Sequence, residues 1–469
     1  MDRTKYLYIN TIGCQMNVYD SDRIAGLLHP LGYRRTDTLD QADLVVVNTC
    51  AIREKAEQKA FSFLGRLAEL KRKRPEMIIA VGGCVAQQEG RQILKRAPYL
   101  DLVFGTGAVG RLPQMVTRVE SRRCRIVDVE MSPEIDEFEY PGKASEEGAI
   151  SRFVTIMQGC DNFCTYCVVP YVRGREMSRR PEEIVHEIEA LVRTGVREVT
   201  LLGQNVNSYG KKEGWCSFSE LLARINAVSG LGRIRFTTSH PKDLSEELMA
   251  AFRDLDKLCN HIHLPVQSGS DAVLDRMNRR YTRDTYLRKV EQLRQYRPDI
   301  AVTSDIIVGF PGEGRGDFEA TLDLIRTVEY DSLFAFKYSD RPNAPAARFS
   351  AAVSEAEKSD RLRKVLDLQE SYTLRKHRAL IGTTARVLVD GPSKRQENGG
   401  AGEWVQWSGR ATDNKIVNFT ASNESLSSPP DLTGRQVRVD IEDAFLHSLG
   451  GKMTVRESSR VKGEKSYAA

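Results

Sequence analysis

The chain has 469 residues, of which 41% are hydrophobic and 28% charged, a balance typical of globular proteins with more than one domain. Its net charge of +5 is compatible with a nucleic-acid partner but too small to indicate one. There is no apolar run long enough for a membrane span and no signal-peptide pattern. The nine cysteines, an odd number, argue against a disulfide scaffold, so we expect a reduced, cytoplasmic protein without a membrane partner.

Strand and helix patterns alternate in the first hundred residues. Lys5–Thr11, Asp43–Asn48 and Met77–Val81 are short apolar runs rich in β-branched residues, whereas Ser21–Leu31 and Ile52–Arg74 have apolar residues at helical spacing. This βαβαβ order predicts a parallel sheet with right-handed crossover connections.

Each of these three predicted strands is followed by a cysteine, namely Cys14, Cys50 and Cys84. Because the carboxyl ends of parallel strands meet at one edge of a sheet, we expect the three thiols to lie together there, and we call them the N-terminal thiol site. The alternative is that they are unrelated core residues, since free cysteine is often buried. If they are ligands, three thiolates predict an iron–sulfur cluster with one exchangeable position.

A second cysteine pattern follows an acidic, weakly patterned segment, in the run QGCDNFCTYCVVPYVRGRE. Cys160, Cys164 and Cys167 form what we call the central thiol site. Three thiolates without a fourth nearby leave one iron of a four-iron cluster open for chemistry. The CxxxCxxC spacing, with Tyr166 before the last cysteine, resembles the radical S-adenosylmethionine enzymes, in which the open iron binds the cofactor. A zinc clip and buried free thiols are the alternatives.

The residues after this motif predict six βα units. The predicted strands are Phe153–Met157, Glu198–Leu202, Arg233–Thr238, His261–Val266, Val302–Val308 and Ser332–Tyr338. The predicted helices are Pro181–Arg193, Ser217–Val228, Leu244–Phe252, Thr282–Gln295 and Gly316–Thr327. Six units are too few to close an eight-stranded barrel, so we expect an open (βα)6 partial barrel, which is also the core fold that the resemblance implies.

Polar residues and glycines follow these strands, where a barrel places its ligands. The resemblance to radical S-adenosylmethionine enzymes implies that they bind the cofactor. The candidates are Tyr166, Gln204, Asn205, Gln267, Ser268 and Gly309. His240 follows the third strand, but a hydrogen-bonded structural role for it is at least as well supported as a catalytic one.

From His377 onward, short strands separated by Gly, Pro and Asn turns predict a small OB-like β-barrel. The predicted strands are Thr384–Val389, Glu403–Ser408, Lys415–Thr420 and Gln436–Glu442, after a connecting helix over Ala352–Arg378. Basic and aromatic residues in this module are candidates for RNA binding by charge and stacking. They are Lys394, Arg395, Arg410, Lys415, Arg435 and Arg438, with Trp404, Trp407 and Phe419. The alternative, which is favoured for any single residue, is a solvated basic face with the aromatic residues in the core.

Taken in this order, the three parts resemble the methylthiotransferase family over nearly the whole chain. The stretches NTIGCQMNVYDSD, NTCAIREKAEQK, GGCVAQQEG, GCDNFCTYCVVPYVRGRE and GRATDNKIVNF are similar to the branch that modifies isopentenyladenosine in tRNA. The resemblance implies an N-terminal methylthiotransferase domain over 1–125, a radical S-adenosylmethionine core over 146–376 and a TRAM RNA-binding domain over 377–455. Its TRAM loop GGAGEWVQW and the run Tyr338–Ala347 depart from the usual pattern.

The activity that this resemblance implies is transfer of a methylthio group to C2 of N6-isopentenyladenosine next to the anticodon. It implies two [4Fe-4S] clusters and two S-adenosylmethionine molecules, with the N-terminal cluster as the auxiliary, sulfur-carrying one. A flavodoxin or ferredoxin would supply electrons, and we expect a monomer. Alternatives are a sister enzyme acting on a ribosomal-protein aspartate or on threonylcarbamoyladenosine tRNA, and a non-catalytic iron–sulfur RNA sensor.

Overall fold

The structure, a computed structural model, describes residues 4–51, 54–132, 148–393, 405–421 and 431–454. The chain divides into two compact units, Met1–Gln369 and Glu370–Ala469. Within the described part of the chain, no helix is both long enough and apolar enough to cross a membrane. The predicted division of the first unit between residues 125 and 146 stays a prediction.

A six-stranded parallel sheet opens the first unit. Its strands are β1 (Lys5–Ile12), β2 (Tyr33–Arg35), β3 (Leu44–Thr49), β4 (Ile78–Gly83), β5 (Leu102–Phe104) and β6 (Ile126–Asp128), in the order β2-β1-β3-β4-β5-β6. Its helices are α1 (Gln15–Leu28), α2 (Glu54–Lys73), α3 (Cys84–Glu89), α4 (Gln92–Arg96) and α5 (Leu112–Arg122). The predicted parallel βαβαβ order is confirmed, and β2, β5 and β6 add three short strands at its edges.

Both faces of this sheet are covered. Strands β3 and β4 are buried along their whole length, as expected for a parallel strand between two helical layers. One core lies around Val45, Val47 and Leu67, and the other lies around Leu44, Val46 and Leu28. Alternate residues of β3 therefore point to opposite layers, and the sheet holds the ends of its strands in fixed register.

The rest of the first unit is an arc of parallel strands covered by helices. The strands of the arc are β7 (Ser151–Thr155), β10 (Glu198–Leu202), β11 (Arg233–Thr237), β12 (His261–His263), β13 (Ala301–Val308) and β14 (Ser332–Lys337), and a short hairpin pairs β8 (Met157–Gln158) with β9 (Met177–Ser178). The helices are α6 (Val169–Val172), α7 (Pro181–Arg193), α8 (Phe218–Asn226), α9 (Glu246–Asp254), α10 (Asp271–Arg276), α11 (Arg283–Tyr296) and α12 (Arg315–Val328).

The arc consists of two three-stranded sheets, β7-β10-β11 and β12-β13-β14, and every pairing within them is parallel. Backbone bonds from Cys259 to Ile234 and from Ser239 to His263 join the two sheets between β11 and β12. The predicted open partial barrel is confirmed. The fourth strand is shorter than predicted, because it ends at His263 and the chain then turns toward a bridge between Gln267 and Ile306.

The second unit contains a closed five-stranded barrel. Its strands are β15 (Thr384–Pro392), β16 (Val405–Ala411), β17 (Ile416–Ala421), β18 (Gln436–Ala444) and β19 (Leu449–Met453), in the order β15-β16-β17-β19-β18. Helix α13 (Glu355–Arg378) contains the boundary between the two units. The small β-barrel is therefore confirmed, although β19 was not predicted from the sequence.

The proposed stacking role of two aromatic residues in this barrel is wrong. Trp407 is 4% exposed and Phe419 is 1% exposed, and both pack in the barrel core with Val389 and Val439. Their rings are consequently covered by other side chains and present no free face to a base. Trp404, Lys394 and Arg395 lie outside the described residues.

Candidate active site

The three cysteines of the N-terminal thiol site lie at the carboxyl ends of neighbouring parallel strands. Cys14 follows β1 and is the N-cap of α1, Cys50 follows β3, and Cys84 is the first residue of α3 after β4. Strands β1, β3 and β4 are adjacent in the sheet, so these ends share one edge. Cys14 and Cys50 are hydrogen-bonded to each other, and the Cys14 and Cys84 thiols are within electrostatic range.

Asn17 connects the loops of this site. Its Oδ1 accepts hydrogen bonds from the backbone N–H and the thiol of Cys14, both at 3.3 Å. Its Nδ2 donates at 3.0 Å to Asn48 Oδ1 and at 3.0 Å to the Thr49 carbonyl. Asn17 is fully buried, and its four contacts therefore fix the end of β1 against the end of β3.

The charges around the N-terminal thiol site differ from one cysteine to the next. The hydrogen bond with Cys50 and the charge of Arg173 lower the pKa of the Cys14 thiol to about 6, although burial acts in the opposite direction. Burial raises the pKa of the Cys84 thiol. A low-pKa thiol at a helix N-terminus is the form in which cysteine binds metals and sulfur.

The central thiol site lies in the loop between β8 and α6. Cys160 is 9% exposed and Cys164 is 7% exposed, and Cys167 is half-buried. Burial raises the pKa of Cys160 to about 11 and that of Cys167 to about 12. Bound iron would deprotonate such thiols outright, because the charge of the metal outweighs the cost of burying a thiolate.

Glycine is required at the entry to this loop. Gly159 has a φ of +78°, and a Cβ at this position would lie 2.0 Å from the Arg175 carbonyl oxygen. The backbone of the loop thus passes directly against the return segment, whose Gly174 carbonyl accepts a hydrogen bond from Cys160 N–H at 3.2 Å. This contact holds Cys160 in place before any ligand binds.

A buried arginine from the segment between α10 and α11 contacts the central thiol site. Arg279 is 3% exposed, and its Nη1 donates to Cys164 Sγ and to Tyr166 Oη, each at 3.4 Å. Its Nε donates to Tyr281 Oη at 3.0 Å. Sequence reasoning missed Arg279 because nothing in its local pattern, MNRRYTR, indicates which residue it contacts.

Among the described residues, no three His, Cys, Asp or Glu side chains converge on a point that would hold a single metal ion. The ligands of a four-iron cluster each bind a different iron, so their sulfur atoms need not converge in this way.

Unpaired polar atoms follow the strands of the barrel. Gln204 Oε1 and Asn205 Oδ1, after β10, are buried and accept no hydrogen bond from any described residue. The same holds for Ser239 Oγ and His240 Nε2 after β11, and for Glu313 Oε1 after β13. Buried polar atoms in folded proteins normally have partners, so these atoms fit a polar ligand at the carboxyl ends of the strands.

The remaining predicted cofactor residues differ in their surroundings. Gln267 is buried with a φ of +75°, and its backbone bonds to both Asp305 and Ile307. Ser268 is fully buried, and its hydroxyl is 3.4 Å from Thr321 Oγ1, so it stabilises the loop against α12. Gly309 has a φ of +71°, and its N–H donates to the Glu313 carboxylate. Their assignment to the cofactor stays a prediction.

Two family models match the chain at these sites. The model described as "Uncharacterized protein family UPF0004" matches residues 6–105, which contain the N-terminal thiol site. The model described as "Radical SAM superfamily" matches residues 154–325, which contain the central thiol site. A protein named tRNA-2-methylthio-N(6)-dimethylallyladenosine synthase from Desulfosudis oleivorans is 58% identical over 95% of this chain and 96% of its own length. The chain belongs to this synthase family.

Another relative agrees with that assignment, and a solved structure has a similar fold. A synthase of the same name from Geobacter metallireducens is 51% identical over 97% of this chain and its full length. The solved structure of TsrM, a radical S-adenosylmethionine methyltransferase from Kitasatospora setae, is similar with a TM-score of 0.53 and 15% identity, over 74% of each chain. At that identity the likeness to TsrM shows the fold alone. The predicted membership of the methylthiotransferase family is confirmed.

Proposed function

We propose that this protein transfers a methylthio group to C2 of N6-isopentenyladenosine next to the anticodon of tRNA. The observation that carries the proposal is the presence, in one compact unit, of two separate groups of three cysteines. One group follows three neighbouring parallel strands, and the other lies in the loop between β8 and α6. One such site is enough for radical chemistry alone, whereas sulfur insertion needs a second site that presents sulfur. Relatives that match nearly the whole chain are named for this reaction.

The residues of each site have distinct roles in this proposal. Cys160, Cys164 and Cys167 would hold a [4Fe-4S] cluster whose open iron binds S-adenosylmethionine. When bound, the cluster and cofactor supply the hydrogen-abstracting radical that an unactivated C2–H bond requires. The unpaired oxygens of Gln204 and Asn205 would orient the polar groups of the cofactor, and Tyr166 would support the loop through its contact with Arg279.

The N-terminal thiol site would hold the auxiliary, sulfur-carrying cluster. Cys50 is 2% exposed and Cys84 is 1% exposed, so bulk water is kept away from these two sulfur ligands. Exclusion of water protects reactive sulfur and radical species from side reactions. Each of two S-adenosylmethionine molecules would be used once, one as the source of the methyl group and one as the source of the radical.

The proposed partners follow from this chemistry. The substrate is tRNA, whose anticodon-loop bases can leave the stack and enter a cavity. A one-electron donor is needed, and a flavodoxin or ferredoxin fits that requirement. The barrel of the second unit would contribute RNA contacts as a TRAM domain over 377–455, and we propose a monomeric, cytoplasmic enzyme.

Nucleoside mass spectrometry of tRNA tests the proposal. The chain is expressed in a bacterial strain whose own isopentenyladenosine methylthiotransferase has been deleted, alongside a variant with Cys14, Cys50 and Cys84 replaced by alanine. We expect the 2-methylthio nucleoside to return with the intact chain, while the variant leaves the prenylated precursor unchanged. Unmodified tRNA together with a newly methylthiolated ribosomal-protein aspartate would overturn the substrate assignment, and threonylcarbamoyladenosine as the modified base would do the same.

A further inference from the structure

Arg173 belongs to the loop of one thiol site but contacts the other. It is the C-cap of α6, the short helix that begins two residues after Cys167. The Val169 N–H lies 3.5 Å from Cys167 Sγ, so the start of this helix is tied to the central thiol site. The Arg173 N–H donates to the Val169 carbonyl at 2.8 Å, which fixes the end of the helix to its start.

The α6 helix is seated in the core of the N-terminal sheet. Val168 is 3% exposed and Val172 is 1% exposed, and both pack in the same hydrophobic core as Cys84. The Thr106 hydroxyl donates a buried hydrogen bond of 2.6 Å to the Val172 carbonyl. Burial of both valines and satisfaction of this carbonyl hold α6 at a fixed position relative to β5 and α3.

From this position the Arg173 side chain points into the N-terminal thiol site. It is 3% exposed, and its Nη2 lies 2.8 Å from Asp20 Oδ2. The guanidinium is also within electrostatic range of the Cys84 and Cys14 thiols. A buried arginine stays charged and must be compensated, and here a single carboxylate and two thiols surround it.

We propose that Arg173 is a positioning residue of the N-terminal thiol site, where its buried charge, held in place by α6 and Asp20, stabilises the thiolates and the cluster they hold. The inference rests on the proposed function, because it presupposes a cluster at Cys14, Cys50 and Cys84. A cluster ligated by thiolates becomes more negative on one-electron reduction, and a neighbouring cation favours that reduced state. The negative charge of Asp20 opposes this effect. Arg173 therefore raises the reduction potential of the cluster, and Asp20 lowers it.

Arg279 provides a matched contrast at the other site. It is buried to the same extent as Arg173, 3% exposed, and it contacts Cys164 of the central thiol site at 3.4 Å. Each site thus has one buried guanidinium within electrostatic range of its thiols. A change at Arg173 should affect the N-terminal cluster and a change at Arg279 should affect the central cluster.

The experiment measures each cluster in isolation in the full-length protein. A background with Cys160, Cys164 and Cys167 replaced by alanine retains the N-terminal thiol site, and the reciprocal background retains the central one. Both are reconstituted anaerobically with iron and sulfide. Iron content and the midpoint potential, from a dithionite titration followed by electron paramagnetic resonance, are then compared for Arg173→Gln, Arg173→Lys, Asp20→Asn and Arg279→Gln. Circular dichroism reports whether each variant folds.

We expect Arg173→Gln to lower the midpoint potential of the N-terminal cluster by at least about 59 mV, a tenfold change in a one-electron reduction equilibrium. Asp20→Asn should raise that potential, and Arg173→Lys should fall between the parent and the glutamine variant, because it keeps the charge but loses the planar fork. Arg279→Gln should leave this cluster unchanged and lower the potential in the reciprocal background.

Two results would overturn the role of Arg173. One is a fully loaded N-terminal cluster whose potential is the same in the parent, Arg173→Gln and Asp20→Asn proteins. The other is an equal shift of the central cluster in the reciprocal background, which would mean that the change is not local. If Arg173→Gln cannot be loaded, the opposite shifts of the lysine and Asp20 variants still decide the question. A parent protein that binds no iron at this site would instead contradict the proposed function.

Discussion

Among single residues, Asn17 has the densest set of contacts at the N-terminal thiol site. It joins Cys14 to Asn48 and to the Thr49 carbonyl, and the Asn48 side chain in turn donates to the Asn17 carbonyl at 2.9 Å. This reciprocal pair lies in the two loops that carry Cys14 and Cys50. The amide is therefore part of the framework that sets the separation of the two thiols.

Replacing Asn17 with alanine should destabilise the protein by about 2 kcal/mol, because buried groups on both loops lose their partner. The measurement is the shift in the urea midpoint of the apo protein, together with iron bound after reconstitution, which should fall at the N-terminal thiol site. Asn226→Ala is the control, since Asn226 hydrogen-bonds to Asp256 at a partly exposed position. Equal midpoints for the two variants would contradict the structural role of Asn17.

Gly159→Ala should damage the central thiol site selectively. The new Cβ would lie 2.0 Å from the Arg175 carbonyl at a φ of +78°, so the Cys160 loop must move. We expect bound iron to fall from about eight to about four per chain. Gly195→Ala, at a φ of +104° with no atom within 4 Å of the added Cβ, separates backbone strain from collision. Full iron content in the Gly159 variant would show that the contact is dispensable.

At this scale the sequence indicates the candidate ligands more clearly than it indicates the residues that contact them. The spacing of cysteines and their position after apolar strands indicate candidate metal ligands, as with Cys50 after DLVVVN. Arg173 and Arg279 lie in charged runs, and only the fold determines which guanidinium is buried against a thiol. The pairing of Asn17 with Asn48 depends on the register of β1 and β3, which the local sequence pattern does not determine.

Among the elements, α1 differs most from its prediction. The apolar spacing predicted Ser21–Leu31, whereas the helix is Gln15–Leu28 and begins directly after Cys14. The first turns of this helix contain few apolar residues, and two of these, Met16 and Tyr19, do not face the N-terminal sheet. They pack instead against Phe153 and Leu202 of the partial barrel. A helix that is buried on two faces does not show the single apolar stripe at helical spacing on which the prediction depends. The sequence pattern therefore did not indicate that the helix begins at Gln15.

The position of α6 is testable through the hydrogen bond between Thr106 and the Val172 carbonyl. Thr106→Val leaves this buried carbonyl without its donor, and we expect a loss of about 1–3 kcal/mol in the free energy of unfolding. Thr117→Val is the control, because Thr117 donates to Pro113 at the surface. Denaturant unfolding of the apo proteins checks the difference. Indistinguishable variants would mean that the bond does not hold α6 in place.

The second unit shows what strand patterns reveal and what they leave out. Alternating residues predicted four strands, but the fifth, LGGKM, has two glycines and no β-branched residue. This segment forms a strand because it pairs with both β17 and β18 and so closes the barrel. Tertiary contacts, and not local strand propensity, determine its structure. The same closure buries Trp407 and Phe419, whose exposure could not be read from the sequence.

Trp407→Ala should therefore lower the stability of the barrel, and it should not remove a stacking contact with an RNA base. Removing a core tryptophan costs about 3–5 kcal/mol, and the thermal unfolding transition of the barrel should shift to much lower temperature. Phe445→Ala is the control, because this ring is 54% exposed and its removal should change stability by less than about 0.5 kcal/mol. An unshifted transition in the Trp407 variant would place the ring outside the core.

At the scale of the whole molecule, the first unit brings two parallel β-sheet systems together. One has a thiol after each of three neighbouring strands, and the other has three thiols in the single loop between β8 and α6. Helix α1 packs on the partial barrel through Met16 and Tyr19, and α6 packs in the N-terminal core through Val168 and Val172. Each half thus inserts one element into the other. The two halves were predicted as separate domains, and their mutual packing was beyond the sequence pattern.

The most direct test of the account is the iron content of the anaerobically reconstituted protein with its thiol sites removed one at a time. We predict about eight irons per chain for the intact protein, and about four when either Cys14, Cys50 and Cys84 or Cys160, Cys164 and Cys167 are replaced by alanine. About four irons in the intact chain, unchanged by loss of the first three cysteines, would contradict the two-cluster account.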